Sequence, residues 1–277
     1  ITLTAALGIK VDGELLVNLQ QLLIDRNNFL YQSSQGDYAI RADLGDSAVS
    51  GFSITGNKLG CSGTIVGAAG AAETSCVYVS ADTSSLKTYE DVQVNENILE
   101  VSAGADYRGG FALWLQNDVS VETLSFRNNQ IKCSPDAISA SIRTGFYVDI
   151  AQGTAEAGNV VEGFSCSGNT VREGGLLSFK AEASVTGFHV FENMATIEYE
   201  PTLSGVQVGI VGDGSGTKSF EEVKVVGNSL YRGSAGVYFV LENYSTIERI
   251  SVSGNTLTGQ SEAFFDGYGV RVLSTVA

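Results

Sequence analysis

An all-β solenoid, a stack of short parallel strands, is the fold class this sequence predicts, and three observations predict it. The first is a repeated template. The stretch IERISVSGNTLTG at residues 247–259 reads apolar-x-x-apolar-x-apolar-x-x-Asn-x-apolar. The same template fits residues 49–59, 89–99, 121–131, 161–171 and 220–230, with looser copies at 19–29 and 185–195, the last ending on a small Ala195. Eight asparagines result: Asn27, Asn57, Asn97, Asn129, Asn169, Asn193, Asn228 and Asn255, spaced 24 to 40 residues apart. Repeats of this length signal a solenoid, a propeller or an array, and the uneven spacing signals a fixed unit with loops of variable length. The second observation is alternation by two ahead of each asparagine, the strand period. The third is composition: 33 glycines against 2 prolines, with almost no helical periodicity, implies many tight turns rather than disorder.

Each unit therefore reads as strand, asparagine bend, short strand, loop, second strand, loop. Asparagine suits the bend because its side chain bonds local backbone and it tolerates the left-handed region. The short strand returns an apolar residue such as Leu59 or Leu257 to the interior. The second strands are clearest at 111–116 (FALWLQ), 146–150, 177–182, 206–211, 237–242 and 270–273. Several open on glycine: Gly110, Gly145, Gly205, Gly236 and Gly269. One strand cannot bury its apolar face alone, but stacked units can.

In chain order, residues 1–18 lead in. The segment 15–24 (LLVNLQQLLI) is the one place where a helix competes, and its fit to the template predicts strand. Unit one centres on Asn27 and ends at 38–42. Unit two, at Asn57, carries a Gly/Ala/Thr-rich loop at 62–75 and a second strand at 77–79. Unit three, at Asn97, follows a loop at 82–88 and places Trp114, the only tryptophan, in its second strand. Unit four, at Asn129, makes an excursion through Pro135. Unit five, at Asn169, follows a loop at 151–159. Unit six, at Asn193, holds His189, the only histidine, and a loop around Pro201. Unit seven, at Asn228, follows Gly-Asp-Gly-Ser-Gly at 212–216, read as a glycine-rich turn because no helix and Lys follow as in a phosphate-binding loop. Unit eight, at Asn255, leaves through Phe264, Phe265 and Tyr268. The aligned asparagines are expected to stack as an amide ladder, over a core that includes Ile54, Leu59, Val94, Phe126, Val171, Val225, Val252 and Leu257.

These repeats resemble the right-handed parallel β-helix proteins of the pectin-lyase-like superfamily, which includes polysaccharide lyases, glycoside hydrolases and phage tailspikes, and most of all the tailspike type. The resemblance spans about residues 9–273. It implies one domain over residues 1–277, of about eight coils, and implies a polysaccharide as partner. Enzyme signatures of the superfamily are missing: no Gly-His pair as in polygalacturonases, and no calcium-binding aspartate cluster with an arginine base as in pectate lyases. The reading is thus a structural or carbohydrate-binding component of a phage or phage-like tail spike or fibre, outside the cell or on a particle, as a homotrimer or part of a larger assembly. The alternative is a polysaccharide depolymerase.

Pleating assigns the outward residues of the second strands, which mix aromatics with carboxylates. Trp114, Tyr147 and Tyr238 offer flat faces for sugar rings and Lys180 a cation, so these four are the candidate substrate-binding residues. Asp149 and Glu182 are the candidate catalytic pair, because glycoside cleavage needs one carboxyl as acid and another as base or nucleophile. Gln207 is expected outward as well. No cofactor and no metal are expected, since the cysteines form no CxxC. Of the four, Cys166 falls at an inward position, while Cys61 and Cys76 flank one loop and leave a disulfide and two free thiols both open.

A formal net charge of −15 disfavours nucleic acid and anionic membrane as partners. No run of 18 apolar residues predicts a transmembrane span, and no signal-peptide pattern is visible. The first and last clear strands both read as interior solenoid elements with little room for caps, so the chain is expected to belong to a larger protein or to have its ends covered by a partner.

Overall fold

Strands build every regular element of this computed structural model, which describes residues 2–4, 8–12, 18–33, 38–63, 75–101, 109–133, 144–151, 159–197, 206–214, 217–233, 235–260 and 268–276. Among these residues there is no helix; the strands form three sheets of 10, 13 and 8 members. The sheets are strongly curled, one of them into a half-barrel. Sheet I holds the long second strands, such as Ser75–Asp82, Gly109–Gln116, Thr144–Ala151 and Gly175–Ala181. Sheet II holds the segments ahead of each asparagine. Sheet III holds the short strands that follow, such as Lys58–Gly63 and Thr256–Gln260. The chain visits I, II and III in rotation, once per asparagine, and each strand pairs in parallel with its counterparts one repeat away. The exception is Thr2–Thr4, which folds back antiparallel onto Gly8–Asp12 at the edge of sheet I.

Register follows the template. Leu59 sits beside Leu99, Leu99 beside Ile131, and Ile131 beside Val171. Ile54, Val94, Phe126 and Cys166 form the matching column of sheet II. All are buried, and one continuous core runs from Ile9 to Tyr244, with Val252 and Leu257 only partly buried at the last repeat. Its middle is aromatic: Phe126 packs on Phe111, Phe146 and Phe164 with centroids 4.7 to 5.7 Å apart, and Phe164 stacks on Phe188 at 4.3 Å. Such pairs add about 0.5–1.5 kcal/mol each beyond the area they bury.

The expected amide ladder is present over all eight asparagines. Each Nδ2 donates to Oδ1 of the next, from Asn27 to Asn57 (2.8 Å) through to Asn228 to Asn255 (2.8 Å). Each backbone N–H donates to the same oxygen. From Asn57 onward, Nδ2 also reaches a strand carbonyl of the preceding repeat, as Asn97 does Ile54 at 2.8 Å. One expectation is corrected. The left-handed residue of the bend is not the asparagine but the one before it: Arg26, Gly56, Glu96, Asn128, Gly168, Glu192, Gly227 and Gly254 all have φ between 51° and 69°. The ladder asparagines themselves are not left-handed, and their amides lie along the stack. A second left-handed residue explains the two-residue gap inside the template, at Gln21, Gly51, Asp91, Gly163, Gly187, Glu222 and Arg249.

The glycines that open the second strands serve the corner between sheets III and I. A Cβ on Gly110 would fall 2.6 Å from Ile131, and one on Gly145 2.5 Å from Val171. The next residue in that column is Leu176, one before the pair Leu177 and Phe146. Its bulk coincides with Ala195, the small residue at the end of the loosest template copy, and both are fully buried. Gln207 occupies the same column, so the expectation that it points outward is corrected: it is 0% exposed and its amide donates to the Tyr231 carbonyl at 2.8 Å.

Of the segment 15–24, the described part holds the strands Asn18–Gln20 and Leu23–Asp25, with Gln21 and Leu22 between them outside any strand. Cys61 and Cys76 are disulfide-bonded, while Cys133 and Cys166 are buried and not part of a disulfide. Gly205, Pro135, Pro201, Phe264, Phe265 and residues 215–216 lie outside the described residues, as do most of the loops at 62–75 and 151–159.

Candidate functional site

The outer face of sheet I positions the candidate residues. Pleating sends alternate side chains outward, and parallel pairing lines them up about 4.8 Å apart. One outward column runs Arg41, Tyr78, Ala112, Tyr147. The next runs Asp43, Ser80, Trp114, Asp149, Lys180. Trp114, Tyr147, Asp149 and Lys180 therefore share one patch. Glu182 lies two residues beyond Lys180, where its backbone N–H donates to Ile150 O at 2.9 Å. Tyr238 does not join them: Ser178 and Gly209 separate it from Tyr147 in the column, and the Arg271 guanidinium lies 5.8 Å from its ring.

The patch is recessed rather than flat. Asp149 is 8% exposed although its side chain points away from the core, and Ala112 beside it is 0% exposed. Trp114 and Tyr147 are half-buried against a second apolar cluster made by Tyr38, Tyr78 and Ala112. The Tyr147 hydroxyl donates to Asp149 Oδ2 at 3.0 Å. Lys180 Nζ lies 3.8 Å from Asp149 Oδ1, at the outer limit of an ion pair. That oxygen is buried and receives no hydrogen bond. Burial holds the Asp149 carboxyl above the usual carboxylate range; the Glu182 charge adds to this, and Lys180 and the Tyr147 hydroxyl oppose it. Burial also raises the Tyr147 phenol, so it remains a donor. A recessed carboxyl held above its ordinary range beside two aromatic faces can hydrogen-bond a polyol or transfer a proton.

Sequence reasoning missed the neighbouring half of this face. Tyr38 stacks on Tyr78 at 4.9 Å, and the Arg41 guanidinium lies 5.5 and 5.9 Å from the two rings. Arg41 also pairs with Asp43 at 2.8 Å, and Ser80 donates to Asp43 at 2.6 Å. The signal was available in alternation: Tyr78 and Ser80 have the same phase as Ala112 and Trp114 once the two strands are aligned. His189 is elsewhere, outward on sheet II between Ser165 and Lys224. A second recess, on the outer face of sheet III, is lined by Ile98, Gln130, Thr170, Arg172 and Met194.

No protein-family model, curated protein or solved structure matches this chain. Among the described residues no helix is long and apolar enough to cross a membrane.

Proposed function

We propose that this chain is a single right-handed parallel β-helix of the pectin-lyase-like kind, and that it holds a surface polysaccharide on the outer face of sheet I. In this reading it is a structural or carbohydrate-binding part of a phage or phage-like tail spike or fibre, borne outside the cell as a homotrimer or within a larger particle. One observation carries the binding role: two aromatic side chains, Trp114 and Tyr147, flank a recessed carboxyl whose Oδ1 has no hydrogen-bond donor. Sugar rings pair apolar C–H faces with hydroxyl donors, and this patch offers a partner to each. Because Trp114 is the only tryptophan, its fluorescence reports the site alone. Titration with a panel of bacterial surface polysaccharides is expected to shift that emission for at least one member. The shift is expected to vanish in Asp149→Ala and Tyr147→Ala. Binding that leaves Trp114 emission unchanged would place the glycan elsewhere.

A second reading rests on the raised Asp149 carboxyl and its interaction with Glu182. Here the pair would cleave the bound chain, Asp149 as acid and Glu182 as base or nucleophile. New reducing ends or unsaturated products, lost in Asp149→Asn and Glu182→Gln with binding retained, would establish it.

A further inference from the structure

Sheet III departs from the charge of the chain as a whole. Its strands carry four cations, Lys58, Lys132, Arg172 and Arg232, and one carboxylate, Glu100, in a molecule of formal net charge −15. Lys132 and Arg172 are register partners on adjacent strands, about 4.8 Å apart. Like charges set side by side in a sheet destabilise it. Lys132 offsets part of this by reaching Glu100 at 3.5 Å. The Arg172 guanidinium makes no ion pair among the described residues, although the chain holds 31 acidic residues against 16 basic ones.

Both cations line the recess on the outer face of this sheet, about 700 Å³ in volume. Parallel pairing lays the face out in two columns. One runs Ile98, Gln130, Thr170, Met194. The other runs Lys132, Arg172, Thr196, Tyr231. Polar groups thus hold the centre, with Ile98 (41% exposed) and Met194 (40%) on either side of Gln130 and Thr170. The second carboxylate of the lining, Glu173, is buried, whereas Lys132 and Arg172 are exposed.

We propose that this recess is a second binding site, for an acidic glycan, in which Arg172 and Lys132 hold a carboxylate or sulfate group of the sugar chain. Gln130, Thr170 and Thr196 supply donors and acceptors to its hydroxyls, and Ile98 and Met194 meet the apolar faces of its rings. An acidic polypeptide fits less well. The backbone of sheet III is committed to neighbouring strands, so a peptide laid on this face finds no backbone partners for its own amides. Only the class of ligand rests on the polysaccharide binding proposed above.

Met194 is the only methionine of the chain, so its methyl carbon gives a single reporter resonance inside the recess. The full chain, labelled at that methyl, is titrated with oligogalacturonate, dextran sulfate, neutral dextran and polyglutamate. A saturable shift of the Met194 methyl is expected with at least one of the two acidic glycans, and none with dextran. Arg172→Gln and Lys132→Gln are each expected to weaken that binding roughly tenfold. Raising salt to about 0.5 M is expected to weaken it as well. Both side chains are exposed, so the variants keep the fold, which an unchanged thermal midpoint verifies. No shift with either acidic glycan, an equal shift with dextran, or binding unchanged in both variants overturns the proposal. A shift with polyglutamate alone assigns the recess to an acidic polypeptide and overturns it equally. Trp114 emission, read in the same titrations, separates the two sites. A change there with Met194 silent supports sheet I and sinks this site; a Met194 shift with Trp114 silent does the reverse.

Discussion

Asn129 shows how one side chain serves as both spacer and glue. Its amide donates to Asn169 Oδ1 and Val94 O, and its oxygen accepts from the backbone and side-chain nitrogens of Asn97. Alanine there strands a buried carbonyl and a buried N–H, each costing roughly 1–3 kcal/mol. Asn129→Ala is therefore expected to lose about 3 kcal/mol or more in denaturant unfolding. Asn255→Ala, at a half-buried position, should lose clearly less. Asp149 makes a second residue-scale prediction. Its carboxyl is raised in the folded state, so the ionised form is disfavoured by folding. Its effect on stability is nil below the usual aspartate range near 3.9 and becomes a growing penalty as pH rises through that range towards the raised value. Carboxyl NMR titration should place Asp149 above the usual aspartate range. Lys180→Met should raise it further and Glu182→Gln should lower it.

Corners decide the elements. Where the III–I corner carries glycine, a branched side chain of the next repeat fills the space; where it carries Leu176, the next repeat has Ala195. Ala195→Val is expected to overpack this corner and cost about 1–3 kcal/mol. Adding Leu176→Gly, which recreates the Gly145–Val171 corner, should recover part of that loss, whereas Leu176→Gly alone should destabilise. At another corner the Cys61–Cys76 bridge closes a 15-residue separation between sheets III and I. Loop-closure arithmetic assigns it about 3 kcal/mol, so Cys76→Ser should lower the unfolding free energy by about that amount. These corners mark what was legible in the sequence. The asparagine positions, the inward residues of sheets I and III and the phase of Trp114, Tyr147 and Asp149 all follow from short-range alternation. The left-handed residue did not, because Arg26, Glu96 and Glu192 take that conformation with no glycine to announce it. Gln207 did not either, since its burial depends on carbonyls of another repeat, and neither did the Tyr38–Tyr78–Arg41 cluster, which exists only after strands 37 residues apart are aligned.

At the scale of the whole molecule, parallel stacking explains the single core, the amide ladder and the alignment of outward columns that creates the Trp114–Asp149 patch. The claim reduces to a distance that grows linearly with repeat number. Lys58, Met194 and Thr256 occupy one outward column of sheet III, with Met194 four strands and Thr256 six strands from Lys58. Spin labels on the pairs Lys58→Cys with Met194→Cys and Lys58→Cys with Thr256→Cys, read by pulsed electron resonance, should give about 19 Å and about 29 Å at 4.8 Å per strand. Two separations that are equal, or a Lys58–Thr256 separation shorter than Lys58–Met194, would contradict stacking in sequence order.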